Sequence, residues 1–127
     1  MKMKSLSVSR QGYRYLSVRL HSELPVTYQS FKDAVTHGLL EWLGESEYAL
    51  ANISIVKNLW DPSAGLLESR LPSSHASGGI AIIRCSRKYV EKVKLGLALV
   101  HQIGDSRIIL QTVRVSGTIA SAKKKVR

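Results

Sequence analysis

A single α+β domain with the element order βαββαβ is the fold class the sequence predicts, and three observations predict it. Apolar and polar residues alternate over 13–22 and then give way to helical spacing, and a strand, a helix and a strand follow again in the second half of the chain. The 127 residues suffice for one hydrophobic core and not for two. Hydrophobic residues at 44% and charged residues at 22% are the proportions of a chain that packs a core. The expected unit spans 1–127, with a long mobile loop over 58–79 and basic tails at 1–11 and 123–127.

In the first strand, Tyr13–Ser22, residues Leu16, Val18 and Leu20 fall on one side and Tyr13, Tyr15, Ser17, Arg19 and His21 on the other. Pro25 and Thr27 open a helix whose stripe is Phe31, Val35, Leu39, Trp42 and Leu43, and Gly44 offers its stop. Ile53 and Ile55 predict a second strand over 51–57. The segments Asp61-Pro62-Ser63, Leu71-Pro72-Ser73-Ser74 and Ser77-Gly78-Gly79 make 58–79 a turn-rich loop. Ile80–Cys85 is a short β-branched run bounded by glycines and charge, which predicts a buried third strand. Ser86 can cap a second helix carrying Val90, Val93, Leu97, Val100 and Ile103, with Gly104-Asp105 as its terminator. A fourth strand over 107–115 follows, and 116–125 reads as a turn feeding a short basic helix. Two βαβ halves with right-handed crossovers assemble into a four-stranded antiparallel sheet with both helices on one face. This is the ferredoxin-like (RRM-like) arrangement, which serves many unrelated activities and so assigns none by itself.

Charge narrows the function. Nineteen Lys and Arg against nine Asp and Glu give +10, and the excess is sorted along the chain. Residues 20–83 hold three basic side chains against seven acidic ones, whereas the flanks hold sixteen against two. Sorting of this kind builds a basic surface beside an acidic one, as binding to a polyanion requires. No basic amphipathic helix with aromatic anchors suggests a membrane surface. Met1–Lys4 is basic with no apolar run behind it, so neither a signal peptide nor a membrane span is expected. The lone Cys85 cannot form an internal disulfide, which fits a reducing, cytoplasmic compartment.

Catalytic chemistry finds little support. His21, His37, His75 and His101 are scattered without ligand spacing, and Glu41, Glu45 and Glu47 read as a solvated patch. There is no Gly-Lys-Ser/Thr phosphate loop, GxGxxG or serine elbow. No catalytic residue, metal or cofactor is therefore expected. Two basic clusters remain: Arg84, Arg87, Lys88, Lys92 and Lys94, then Lys123, Lys124, Lys125 and Arg127. Positive charge at the start of a helix adds unfavourably to its dipole, so Arg87 and Lys88 point to an external anion that offsets the cost. Ser116-Gly117-Thr118 can offer hydroxyls and backbone N–H groups to a phosphate. The aliphatic Ile80-Ala81-Ile82-Ile83 makes the open sheet face a poor stacking platform, although Tyr13 and Tyr15 could stack or be structural. Ile80, Ile82, Ile108 and Leu110 share one parity and Ile83, Ile109, Val113 and Val115 the other; one set is expected to face away from the helices and to need a partner.

Several segments, in order and at matching places, resemble the protein component two family of archaeal and eukaryotic ribonuclease P. They are Arg14-Tyr15-Leu16, Trp42-Leu43-Gly44-Glu45, Ile83-Arg84-Cys85, Leu97-Ala98-Leu99-Val100 and Val115-Ser116-Gly117-Thr118-Ile119, and the resemblance spans about residues 13–125. It implies an RNA-recognition-like protein that is not catalytic itself. Such a subunit joins a TIM-barrel subunit and the catalytic RNA that removes 5′ leaders from precursor tRNA, and can self-associate when that subunit is absent. The compact length without an acidic tail points to an archaeal source. Two departures stand out, the long 58–79 loop and Arg114 where a glycine is expected before Val115. The expected RNA-binding residues are Arg14, Arg84, Arg87, Lys88, Lys92, Ser116, Thr118, Lys123, Lys124 and Lys125. The alternatives are a ferredoxin-like module that regulates or scaffolds other proteins and, with less support, an independent nuclease.

Overall fold

The computed structural model describes residues 12–61 and 77–123. In chain order the elements are β1 (Tyr13–Ser22), α1 (Tyr28–Ala51), β2 (Ser54–Ile55), β3 (Ser77–Ser86), α2 (Val90–Leu99), β4 (Gln102–Ile103), β5 (Ser106–Ser116) and α3 (Ile119–Ala122). Turns of 3₁₀ helix occupy Lys57–Leu59 and Arg87–Tyr89. The sheet order is β2-β3-β1-β5-β4, and every pairing is antiparallel. The α+β architecture fits a ferredoxin-like arrangement in general, with β4 as a fifth strand that the four-stranded expectation lacked.

The alternation read in β1 is the alternation that packs. Leu16, Val18 and Leu20 lie in one buried cluster with Ala81, Ile83 and Cys85 of β3 and Ile108 and Leu110 of β5. Phe31, Val35 and Leu39 of α1 and Val93 and Leu97 of α2 close this cluster from the helical side. Fully burying one such side chain contributes roughly 1.5–3 kcal/mol, so this layer holds the sheet and helices together.

Two helix ends differ from expectation. Thr27 caps α1 as its sequence suggests, accepting a hydrogen bond from Ser30 N at 3.1 Å. Gly44 interrupts the helix, with φ 84° and ψ 163°, but does not end it. Helical conformation resumes and stops at Asn52, which is left-handed and donates its N–H to Ala49 O. Packing explains the continuation, because Tyr48 lies against the core and Ala51 is fully buried. α2 stops at Leu99 rather than beyond Ile103. Ile103 pairs with Ser106 and Gln102 with Arg107, so Gly104-Asp105 is the turn of a β4–β5 hairpin, with Gly104 at φ 59°. The backbone of a two-residue hairpin turn demands positive φ, and glycine supplies it without strain. Ser86 does not cap α2; its Oγ donates to Leu50 O at 3.2 Å, and a 3₁₀ turn intervenes before the helix.

β2 is shorter than expected, covering Ser54–Ile55 alone. β3 is longer, beginning at Ser77. Most of the expected loop, 62–76, lies outside the described residues. At its near end Trp60 stacks on Phe31 with ring centroids 4.8 Å apart, and Asp61 bridges to Ile80. The terminal helix is the four-residue α3, which contains no lysine; the basic residues follow it.

A β-bulge decides what the far face of the sheet presents. Ser17 of β1 pairs with Arg114 of β5 while the next residue, Val18, pairs with Thr112, so Val113 is the extra residue. Cross-strand partners share a face. Ile80 and Ile82 therefore lie with Arg19 and Ser17 away from the helices, whereas Ile108 and Leu110 lie with Ser22 and Leu20 on the helical side. The expected exposed aliphatic set does not exist as one surface. Ile82 is buried, Ile109 is 64% exposed, and the rest of that face includes Tyr13, Tyr15, Arg19, His21, Arg84, Gln111 and Arg114.

Candidate nucleic-acid interface

The far face of the sheet is organised in rows. The middle row, Ile82-Ser17-Arg114, is closed by α3, which packs against β1 and β5. Ser17 Oγ donates to Ala122 O at 3.0 Å, and Arg114 Nη1 donates to Ser121 O at 3.0 Å. Arg114, the departure from the family pattern, thus serves the carbonyl end of the short helix, where a cation complements the dipole. Toward the start of β1 the next row is Ser54-Arg84-Tyr15-Ser116, crossing β2, β3, β1 and β5, and Tyr13-Ser86 lies beyond it. The Arg84 guanidinium sits 4.4 Å from the Tyr13 ring centroid, a cation–π contact that holds its plane over the sheet.

The ten expected RNA-binding residues divide among several places. Arg84 and Ser116 share the row just described. Arg87 and Lys88 follow directly in the exposed 3₁₀ turn after β3, and neither enters an ion pair among the described residues. Arg14 is at the same end of β1 but on the helical side, opposite Cys85, and its Nη1 donates to Tyr13 O at 2.8 Å. Lys92 belongs elsewhere: its Nζ donates to Glu47 Oε1 at 2.9 Å, and this bond raises the lysine pKa, with further help from the Glu47 charge. That cation is therefore engaged by α1. Thr118 caps α3 by accepting from Ser121 N at 3.1 Å, which leaves its exposed O–H free to donate. Lys123 is exposed at the end of α3, and Lys124 and Lys125 lie outside the described residues.

Tyr13 and Tyr15, which the sequence leaves as stacking or structural residues, both lie on the far face of the sheet. The aliphatic third strand argued against stacking, yet the aromatics come from β1, which the topology places at the centre of the sheet. Their signal was present as two tyrosines on the polar parity of the first strand. Among the described residues no group of three His, Cys, Asp or Glu side chains could hold a metal ion, and no helix is long and apolar enough to cross a membrane. Cys85 is buried, and burial pushes its thiol up to about 11.

This geometry can bind an anionic polymer along an arginine- and tyrosine-bearing sheet end continued by exposed cations. Comparison with known proteins agrees with the sequence motifs. The family model described as Rpp14/Pop5 family matches residues 14–127. Ribonuclease P protein component 2 of Pyrococcus horikoshii is 30% identical over 125 residues, covering 98% of this chain and 91% of the relative. The protein of the same name from Pyrococcus abyssi is 32% identical over 98% of this chain and 93% of the relative. That of Archaeoglobus fulgidus is 32% identical over 97% and 96%. With the family model covering nearly all of it, the chain belongs to the Rpp14/Pop5 family.

Proposed function

We propose that this chain is a protein subunit of ribonuclease P that binds the enzyme's RNA and assists removal of 5′ leaders from precursor tRNA without performing the cleavage itself. The observation that carries the reading is similarity along almost the whole chain to proteins named ribonuclease P protein component 2. The sorted charge supports it, because Arg84, Arg87 and Lys88 gather at one end of the sheet while the acidic residues of α1 lie on the helical side. In this reading the fold is a single ferredoxin-like domain over 1–127 that works in the cytoplasm. Its partners are the ribonuclease P RNA, precursor tRNA and a TIM-barrel protein subunit, with a second copy of itself taking that place when the subunit is absent.

Filter binding of structured RNA across a salt series tests it. If roughly five phosphates are neutralised, log affinity falls against log salt with a slope of about 0.7–0.9 per contact. A flat response between low and moderate salt sinks the reading. Reconstitution addresses catalysis: the RNA-free protein leaves precursor tRNA uncut with any divalent metal, whereas adding it to the RNA and the remaining subunits speeds cleavage. Cutting at a unique site by the protein alone would refute the accessory role.

A further inference from the structure

We propose that the row Arg84-Tyr15-Ser116 on the open end of the sheet is a site for one unpaired nucleotide of RNA, its base stacking on Tyr15 and its oxygens satisfying Arg84 and Ser116. The inference rests on the RNA-binding reading above and adds to it the kind of RNA this face takes. Two neighbouring rows of similar composition supply the argument. In the covered row, Ser17 lies on the central strand with Arg114 beside it, and both have acceptors in the carbonyls of α3. In the next row, Arg84 and Ser116 stand on either side of Tyr15, and each has a shielded polar atom without a hydrogen-bond partner. Ser116 is only 7% exposed with no partner for its Oγ, and the shielded Arg84 Nε has none either. Nor does Arg84 pair with a carboxylate among the described residues.

Buried polar groups are nearly always hydrogen-bonded, and each exception carries a desolvation cost that some feature must offset. Arg84 Nε can only donate and Ser116 Oγ can donate or accept, so an occupant with polar atoms on both sides of a flat ring, an acceptor toward Arg84 among them, would satisfy both. A nucleotide does so, with a flat base between its sugar–phosphate oxygens. Both atoms are shielded from water, so binding requires side chains of this row to shift and open them. The base must be unpaired, because in an A-form duplex the faces of the bases are already stacked on one another. Arg87 and Lys88, one 3₁₀ turn from Ser86, are placed to meet the phosphates that follow.

Fluorescence anisotropy with a labelled mixed-sequence single-stranded ten-nucleotide RNA, and with the blunt duplex of the same sequence, tests the site. Tyr15→Ala should weaken single-strand binding by about 5- to 150-fold, the range expected for one lost base–aromatic stack. Tyr15→Phe should stay within about twofold. If Tyr15→Ala fails to fold, Tyr15→Leu, which keeps volume and loses the π face, should show the same loss. Ser116→Ala should weaken single-strand binding while its thermal midpoint stays equal or rises, since the change removes an unsatisfied hydroxyl. A structural role for Ser116 predicts the opposite, a lowered midpoint with unchanged binding. Duplex affinity should be the same in every variant. Wild-type single-strand affinity in both Tyr15→Leu and Ser116→Ala, or a duplex that competes as well as the single strand, overturns the site. In that case a steep salt dependence for structured RNA would leave the subunit reading standing.

Discussion

At the scale of single residues, burial makes Cys85 an internal reporter. Its thiolate is disfavoured because the side chain is fully enclosed between sheet and helices, which lifts its pKa from 9.0 to about 11. In the unfolded chain the thiol loses its proton first, so the folded state binds more protons between these two values. Stability contributed by the protonated thiol is therefore complete below pH 9 and is lost as pH climbs toward about 11. Urea midpoints should decline across that window in the native sequence and decline less in Cys85→Ala. At neutral pH a chromogenic thiol reagent should modify Cys85 only as fast as the structure opens; rapid modification of the folded protein would contradict its enclosure. Lys92 has the same sign for a different reason, since its bond to Glu47 favours the charged form, but this solvent-exposed pair is no basis for stability.

At the scale of elements, the crossing of α1 and α2 depends on two glycines. A Cβ built at Gly96 would lie 2.7 Å from Leu39 Cδ2 and 2.8 Å from Trp42 Cδ1, and one at Gly38 would lie 2.7 Å from Val100 Cγ2. Trp42 Nε1 donates to Lys92 O at 2.8 Å, so the indole is fixed in this close approach and cannot retreat without losing its partner. Gly96→Ala gains helix propensity yet overpacks the crossing, and the second effect is larger: the expected net loss is about 1–3 kcal/mol, read from denaturant midpoints. A stabilised Gly96→Ala would show that the helices separate freely. The stripe of apolar residues marked α1 and α2 as amphipathic, but the need for glycine at position 96 was invisible because it arises between helices 50 residues apart in places such as Trp42–Lys92.

At the scale of the whole molecule, folding concentrates charge that the sequence merely separates. Arg84, Arg87 and Lys88 come to the end of the sheet where β1 begins, beside Tyr13 and Tyr15, while Lys92 turns toward α1. Replacing Arg84, Arg87 and Lys88 together by alanine should reduce the salt slope of RNA binding by about two to three, at roughly 0.7–0.9 per phosphate contact. Circular dichroism should show the fold retained, since Arg87 and Lys88 are exposed. Lys92→Ala, by contrast, should change the slope little, because its cation already faces Glu47. An unchanged slope in the triple variant would make the basic corner incidental.

The sequence by itself determined the main strands and helices, most of the core and the family, but not the short β4. Leu16, Val18 and Leu20 with Phe31, Val35 and Leu39 follow periods of two and of 3.6 residues, and such periods are local properties of a chain. Motifs such as Val115-Ser116-Gly117-Thr118-Ile119 were legible for the same reason. Tertiary structure alone decided which residues share a face. The bulge between Ser17 and Val18 pairs Arg114 with Ser17 and carries Ile108 and Leu110 to the helical side, so numerical parity fails as a guide to β5. Likewise Gly104-Asp105 became a hairpin turn and Gly44 a kink, because strand pairing and the burial of Ala51 outweighed the local stop signals. A one-residue change of register inverts every side chain beyond it, and register is set by contacts between strands far apart in the chain, which no window of sequence contains.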